Sequence, residues 1–449
     1  MSETTLTQAE LSALGATLAD ANRQVAERFP GESPGRQPTH TVYGGAHLFT
    51  ADMAQKLGAR ALKALDEHAP APDALARILD LPADLAERIY PRVVDKLRHE
   101  PVEDFRIDFE DGFGARPDAE EDTCAQAAAE AVARAQADGT LPPMIGIRIK
   151  SLGSEVWSRS LRTLDLFLTR LLDASHGVLP SPFVITLPKI TSPVQVAILA
   201  RACDSFERAR DLAAGRLAIE LMVETTQSVF AADGSLALPR LVAEGGGRVI
   251  GAHLGTYDYT AGLSITAAHQ HMTHPACDFA KHTMQVALAG TSVWLSDGAT
   301  NILPVGPHRA SPRTALSEGE RQANTEAVHR AWRVQAAHIR HSLVGGFYQG
   351  WDLHPAQLPI RYATVYAFFL EGLSAASARL RNFVAKAAQA TLAGDVFDDA
   401  ATGQGLLNYV LRAMNCGALT EQEAVAFSGL TLAELKGRSF MAILKGERR

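Results

Sequence analysis

AIELMVE, Ala218–Glu224, reads as a short apolar strand that carries two carboxylates. Alternation puts Ala218, Glu220, Met222 and Glu224 on one face and Leu221 and Val223 on the other. If the first face lines a closed barrel, Glu224 stands in the top layer and Glu220 one layer below. Leu221 and Val223 then face the surrounding helices.

Seven further short apolar runs lie on either side of it. They are HTVYGG (40–45), FRIDFED (105–111), MIGIRI (144–149), FVITLPK (183–189), RVIGAHLG (248–255), SVWLSDG (292–298) and GWDLHP (350–355). Segments with helical spacing separate most of them, for example AEEDTCAQAAAEAVARAQ and SPVQVAILARACDSFERAR. Eight strands alternating with helices predict parallel βα units, and eight such units predict a closed (β/α)8 TIM barrel. The first crossover is long, with two or three helices broken by APAPD and LPAD.

Three regions follow from this reading. Residues 1–38 form a helical segment and the linker FPGESPGRQP, residues 39–358 the barrel, and residues 359–449 a helical C-terminal extension without strands. Thr420-x-x-Glu423 and Thr431-x-x-Glu434 mark helix starts in the extension.

The 449 residues are 47% apolar and 21% charged, with a formal net charge of −7. That composition suits a globular protein with a sizeable core and lacks the basic footprint of a nucleic-acid binder. The polar start MSETTLTQAELSALG does not read as a secretory signal, and no window offers the ~20 apolar residues of a membrane helix. The four cysteines are far apart and form no CxxC pair. Reduced thiols in a cytoplasmic protein are the expectation.

In such a barrel, functional residues sit at the carboxyl ends of strands. The second strand ends in Asp108, Glu110 and Asp111, the third carries Arg148, and the fourth ends in Lys189. The fifth ends in Glu224, Asp258 follows the sixth in HLGTYDYTAG, and the eighth ends near His354. Buried charge is costly unless paired or bound to metal, so these ends are expected to converge on one polar site. Glu224 and Asp258 belong to adjacent strands, ~4.8 Å apart, and can share a cation such as Mg2+. Pairing with Arg148 or Lys189, or helix capping, is the alternative for each acid.

Several blocks, in order over about residues 100–410, resemble the superfamily of malate synthases, malyl-CoA lyases and the citrate lyase beta subunit. IDFED (107–111) is similar to the acidic second-strand motif, and ITLPKITSPVQV (185–196) to the Pro-Lys block. LMVETTQSVF (221–230) resembles the block whose glutamate binds magnesium, here Glu224. GTYDYTAG (255–262) resembles the turn whose aspartate is the second ligand, here Asp258, with Gly255, Thr256 and Tyr257 beside it. GWDLHPAQLP (350–359) resembles the His-Pro segment, which contains His354. DDAAT (398–402) resembles the motif that carries the catalytic base of malate synthases, here Asp399.

The resemblance implies a barrel that makes or breaks a carbon–carbon bond beside a carbonyl. It implies Mg2+, with Mn2+ as a substitute, polarising a small 2-oxo acid. Arg148 would stabilise an enolate or alkoxide, Asp399 would move a proton, and Asp108 and Glu110 would orient Arg148 or metal-bound waters. The first strand, HTVYGGAHLF, departs from the Arg-Ser and Pro-Gly pattern of citrate-lyase-type members, and the Glu224–Asp258 spacing is longer than usual. Both an acyl-CoA thioester and a CoA-free aldehyde therefore stay open as partner. Phosphotransfer on a phosphoenolpyruvate-type barrel and small-acid binding without turnover are the rival readings. A homo-oligomer fits any of them.

Weaker signals are read conservatively. HQHMTHP (269–275 with Pro275) marks a polar helix start ahead of a transition-metal cluster or a substrate contact. Gly245-Gly246-Gly247 reads as a helix-to-strand turn, and Ser296, Asp297 and Asn301 as a satisfied loop. Lys189 reads as an ion-pair or substrate contact ahead of a Schiff-base lysine. Capping of the following helix is the alternative for Asp398 and Asp399.

Overall fold

The computed structural model describes residues 5–31, 33, 35–310, 315–385, 391–393, 396–398, 400–440 and 443. Its centre is a closed barrel of eight parallel strands in sequence order. They are β1 (His40–Gly45), β2 (Asp104–Asp108), β3 (Met144–Arg148), β4 (Phe183–Leu187), β5 (Leu217–Val223), β6 (Val249–Leu254), β7 (Trp294–Ala299) and β8 (Gln349–Asp352). β8 pairs back onto β1 through His40 opposite Gly350, which removes any free sheet edge. All eight expected runs are barrel strands, and helices separate them, so the fold is a (β/α)8 TIM barrel.

Alternation along the strands builds the two layers. Ile107, Ile147, Ile185, Ile219, Leu221 and Val223 face outward into one buried apolar cluster with the helices. Glu220 and Met222 take the inner face, as the alternation of AIELMVE requires. The long first crossover holds three helices, Met53–His68, Pro72–Leu79 and Ala83–His99. The three glycines before β6 make the expected turn, where φ is +59° at Gly246 and +82° at Gly247.

After β8 come the helices Leu358–Glu371, Leu373–Ala385, Ala400–Asn415, Glu421–Ser428 and Leu432–Gly437. Both expected capping boxes are formed, at Thr420 with Glu423 and at Thr431 with Glu434. The first of these helices packs against Ala83–His99 and Glu318–Val344. One expectation is corrected: the extension contains strands, because Thr391–Ala393 pairs antiparallel with Val396–Asp398. In sequence they are separated by Gly394-Asp395, a hairpin signal that the surrounding helical spacing hid.

Cys203, Cys277 and Cys416 are buried and Cys124 is half-buried, all as free thiols. Among the described residues no helix is long and apolar enough to cross a membrane.

Candidate active site

Arg148 ends β3 inside the barrel mouth and is 5% exposed. Asp108, its register partner on β2, receives it in a fork: Nε donates to Oδ1 at 2.7 Å and Nη2 to Oδ2 at 2.5 Å. Asp108 also accepts the backbone N–H groups of Glu110 and Gly112, at 3.0 and 2.7 Å. Burial opposes the guanidinium charge, but the Asp108 carboxylate outweighs it and raises the arginine's pKa. Glu110 Oε2 lies 3.3 Å from Nη1, and the Tyr43 ring lies 4.9 Å beneath the guanidinium carbon. Asp108 and Glu110, expected to orient Arg148 or metal-bound waters, both lie against its guanidinium.

Glu224 directly follows β5 and is 3% exposed. Its carboxylate lies against Gly255, where a Cβ would come within 2.5 Å of Oε2. Glycine at 255 is thus the condition for this acid to occupy its place. Glu224 Oε1 accepts the Lys189 backbone N–H at 2.6 Å, and Lys189 holds the left-handed φ of +50° to present it. Burial pushes the Glu224 carboxyl up to about 7; the Lys189 charge opposes the shift and the Asp258 charge adds to it.

Asp258 is in the first turn of the short helix Thr256–Gly262 and is exposed to the mouth. The Lys189 ammonium pairs with Glu110, lies 3.3 Å from Asp111 and 3.6 Å from Asp258 Oδ2. Burial lowers its pKa, but the Glu110 hydrogen bond and the surrounding carboxylates raise it further, so the amine is held protonated. A Schiff-base nucleophile needs the opposite shift. The ion-pair reading of Lys189 fits the structure.

The donor set suits a hard divalent cation. Glu224 is a buried carboxylate whose charge is under-compensated, and Asp258 is close enough to raise its pKa. Among the described residues no three His, Cys, Asp or Glu side chains are grouped to hold an ion by themselves. Two carboxylates completed by water and substrate oxygens is a coordination pattern typical of Mg2+.

Beneath the mouth lies a network that sequence reading missed. Arg106, fully buried on β2, pairs with Asp104, reaches Glu220 Oε2 at 2.9 Å and donates to Thr186 Oγ1 at 3.0 Å. Glu220 also accepts the Thr186 hydroxyl at 2.7 Å and meets His253 Nε2 at 2.8 Å. The Trp351 indole N–H donates to His253 Nδ1 at 3.1 Å, which leaves the His253 proton on Nε2, facing Glu220. The signal was present as Asp104-x-Arg106-x-Asp108, three charges on one strand face.

The remaining expected residues divide. Tyr257 Oη donates to the Ala299 carbonyl at 2.7 Å and accepts the Asn301 N–H at 3.0 Å, which ties the Asp258 turn to the end of β7. Thr256 Oγ1 is buried with no hydrogen-bond partner among the described residues. His354 is not in the carboxylate cluster. It caps a short helical turn, accepting the Ala356 N–H at 3.2 Å, and lines a separate pocket of about 360 Å3 between the ends of β1 and β8 and the helix Met53–His68. Leu48, Phe49 and Phe105 give that pocket apolar walls, and Lys56 and Arg60 lie on it. The acid of β8 is Asp352, held down to about 2: burial opposes the shift, but Arg361 and His40 outweigh it.

His274 Nδ1 accepts the Ala276 N–H as N-cap of the helix Pro275–Leu288, the expected helix start. Ser296 and Asp297, expected in a loop, lie in β7, where Asp297 is buried against Lys281, 3.0 Å away. Asp399 lies outside the described residues.

Fold and site together define a (β/α)8 barrel with an acidic, cation-compatible centre at the carboxyl ends of its strands. The chain belongs to the family DUF6986, a domain of unknown function, whose model matches residues 18–443. No curated protein matches it. Among solved structures it is similar to a citrate lyase from Burkholderia xenovorans LB400, with 19% identity, a TM-score of 0.55, and coverage of 88% of this chain and 97% of that one. It is also similar to Haloferax volcanii malate synthase in a magnesium/glyoxylate complex, with 13% identity, a TM-score of 0.47, and coverage of 89% and 97%. The likeness to the citrate lyase is one of fold.

Proposed function

We propose that the chain is a magnesium-dependent carbon–carbon lyase or condensing enzyme acting on a small 2-oxo acid and an enolisable acyl-CoA thioester. The observation that carries this reading is Glu224, a buried carboxylate raised to about 7 and seated on Gly255 beside Asp258. Such an acid is a stability cost unless a cation completes it. Mg2+ held by Glu224 and Asp258 would polarise the keto group of the 2-oxo acid.

The chain's own residues supply the rest. Arg148, fixed by the Asp108 fork and the Tyr43 face, presents a rigid cation for the oxygen on which negative charge develops. Its side chain needs no reorganisation, because Asp108 already holds it. Lys189 stays protonated and balances Glu110 and Asp111 at the mouth. Asp399, placed by resemblance, takes the proton from the enolising carbon. The pocket near His354, with Lys56 and Arg60, supports a partner that has both an apolar part and anionic groups.

The test is deuterium exchange in heavy water with Mg2+, read on the methyl signals of pyruvate and acetyl-CoA by proton NMR. Exchange from acetyl-CoA is the expected result. Exchange from pyruvate alone would replace the thioester with an aldehyde acceptor, giving a CoA-independent aldolase. Binding of both without exchange would leave a small-acid-binding protein and end the enzymatic reading.

A further inference from the structure

Lys189 serves the barrel mouth through two separate groups. Its backbone N–H, presented by the left-handed φ of +50°, holds Glu224 Oε1 at 2.6 Å. Its ammonium lies among three other carboxylates. It pairs with Glu110, lies 3.3 Å from each oxygen of Asp111 and 3.6 Å from Asp258 Oδ2. The side chain can therefore move while the backbone keeps its hold on Glu224.

The three acids are not equally supplied with positive charge. Arg148 also lies 3.3 Å from Glu110 and 3.6 Å from Asp111. Asp258 has no second cation of this kind among the described residues, and Lys189 is its one ion-pair partner there. The side chains of Lys189 and Asp258 are 33% and 45% exposed, so this pair is open to solvent and the flexible lysine stem is free to swing. A magnesium ion held by Glu224 and Asp258 would share Asp258 with the ammonium. Two positive charges on one carboxylate repel strongly at this range. The divalent ion gains more from the acids than a single charge does, so the ammonium is the one to yield.

We infer that Lys189 is a displaceable counter-ion of the metal site: its ammonium neutralises Asp258 in the metal-free protein, and Mg2+ drives it off Asp258 onto Glu110 and Asp111, which it already touches. The inference rests on the reading of Glu224 and Asp258 as ligands. It gives these clustered acids a counter-charge before a metal arrives, in exchange for some metal affinity.

Calorimetric Mg2+ titrations and thermal melts of three full-length proteins test it. They are the unaltered chain, Lys189→Met, which keeps an unbranched side chain without the charge, and Lys189→Arg, which keeps a charge within reach of the same acids. Lys189→Met should bind Mg2+ about tenfold or more tightly than the unaltered chain, and Lys189→Arg should gain less than about threefold. Without Mg2+ the Met variant should melt below the unaltered chain, and saturating Mg2+ should narrow the gap. Equal or weaker binding by the Met variant would overturn the inference and leave the metal site standing, with the ammonium a fixed part of it. An equal gain in the Arg variant would overturn it too, because charge would not be the cause. No Mg2+ binding by the unaltered chain or the Met variant would remove both the inference and the ligand reading beneath it.

Discussion

Glu224 couples charge and pH at one carboxyl, and the proposed metal would couple to both. Its folded pKa, about 7, lies above the ordinary glutamate value, so the folded state holds a proton that the unfolded state releases sooner. In the metal-free protein this contribution is complete below the unfolded pKa and is lost as pH rises through 7. The expected loss is about 3 kcal/mol across that window, and Glu224→Gln should flatten it in urea denaturation curves. Mg2+ needs the ionised form, so its affinity should rise about tenfold between about pH 6 and about pH 8 in calorimetric titration. A pH-independent affinity would show that Glu224 is not a ligand. Gly255→Ala tests the same acid from the other side. Its Cβ would stand 2.5 Å from both Cβ and Oε2 of Glu224. The variant should lose about 1–3 kcal/mol of stability and weaken Mg2+ binding, both without any change of charge.

At the scale of elements, β2 shows why part of the site was legible and part was not. Its end, Asp108 to Asp111, was readable because four residues of an apolar run carry three acids. Arg106 and Asp104 were not, because a strand interior is expected to be apolar and, beyond their own ion pair, their cost is offset by Glu220, Thr186 and Thr41 from other strands. Nothing local to β2 announces those partners. The same holds for His354, whose motif is clear but whose ring serves a capping turn and a second pocket. Glu220→Gln should expose this dependence. It leaves the buried Arg106 with only Asp104 as counter-charge, so we expect a loss of about 3 kcal/mol or more in chemical denaturation. The C-terminal extension gives the complementary case, since its capping boxes were legible and its hairpin was not. Asp399→Asn should leave the Mg2+ titration unchanged while abolishing methyl exchange. Impaired metal binding in that variant would move Asp399 from proton transfer to ligation.

The whole barrel separates two demands that the chain must meet at its mouth. One is a small charged centre, where Arg148, Lys189, Glu224 and Asp258 converge from β3 to β6. The other is the pocket beside β1 and β8, with apolar walls and the cations Lys56 and Arg60. If the centre takes the compact acid proposed above, the pocket beside it has room for a second partner with apolar and anionic parts. Neither cation was singled out in the sequence, since both lie on the exposed face of the helix Met53–His68. Lys56→Ala/Arg60→Ala separates the demands. Both side chains are exposed, so the fold and the Mg2+ titration should not change. If they meet the anionic groups of the partner, subsaturating exchange from acetyl-CoA should fall about tenfold or more. Raising the acetyl-CoA concentration should restore it, because the lost interaction is binding and not chemistry. A variant that exchanges acetyl-CoA as well as the unaltered chain at every concentration would remove this pocket from the thioester's path.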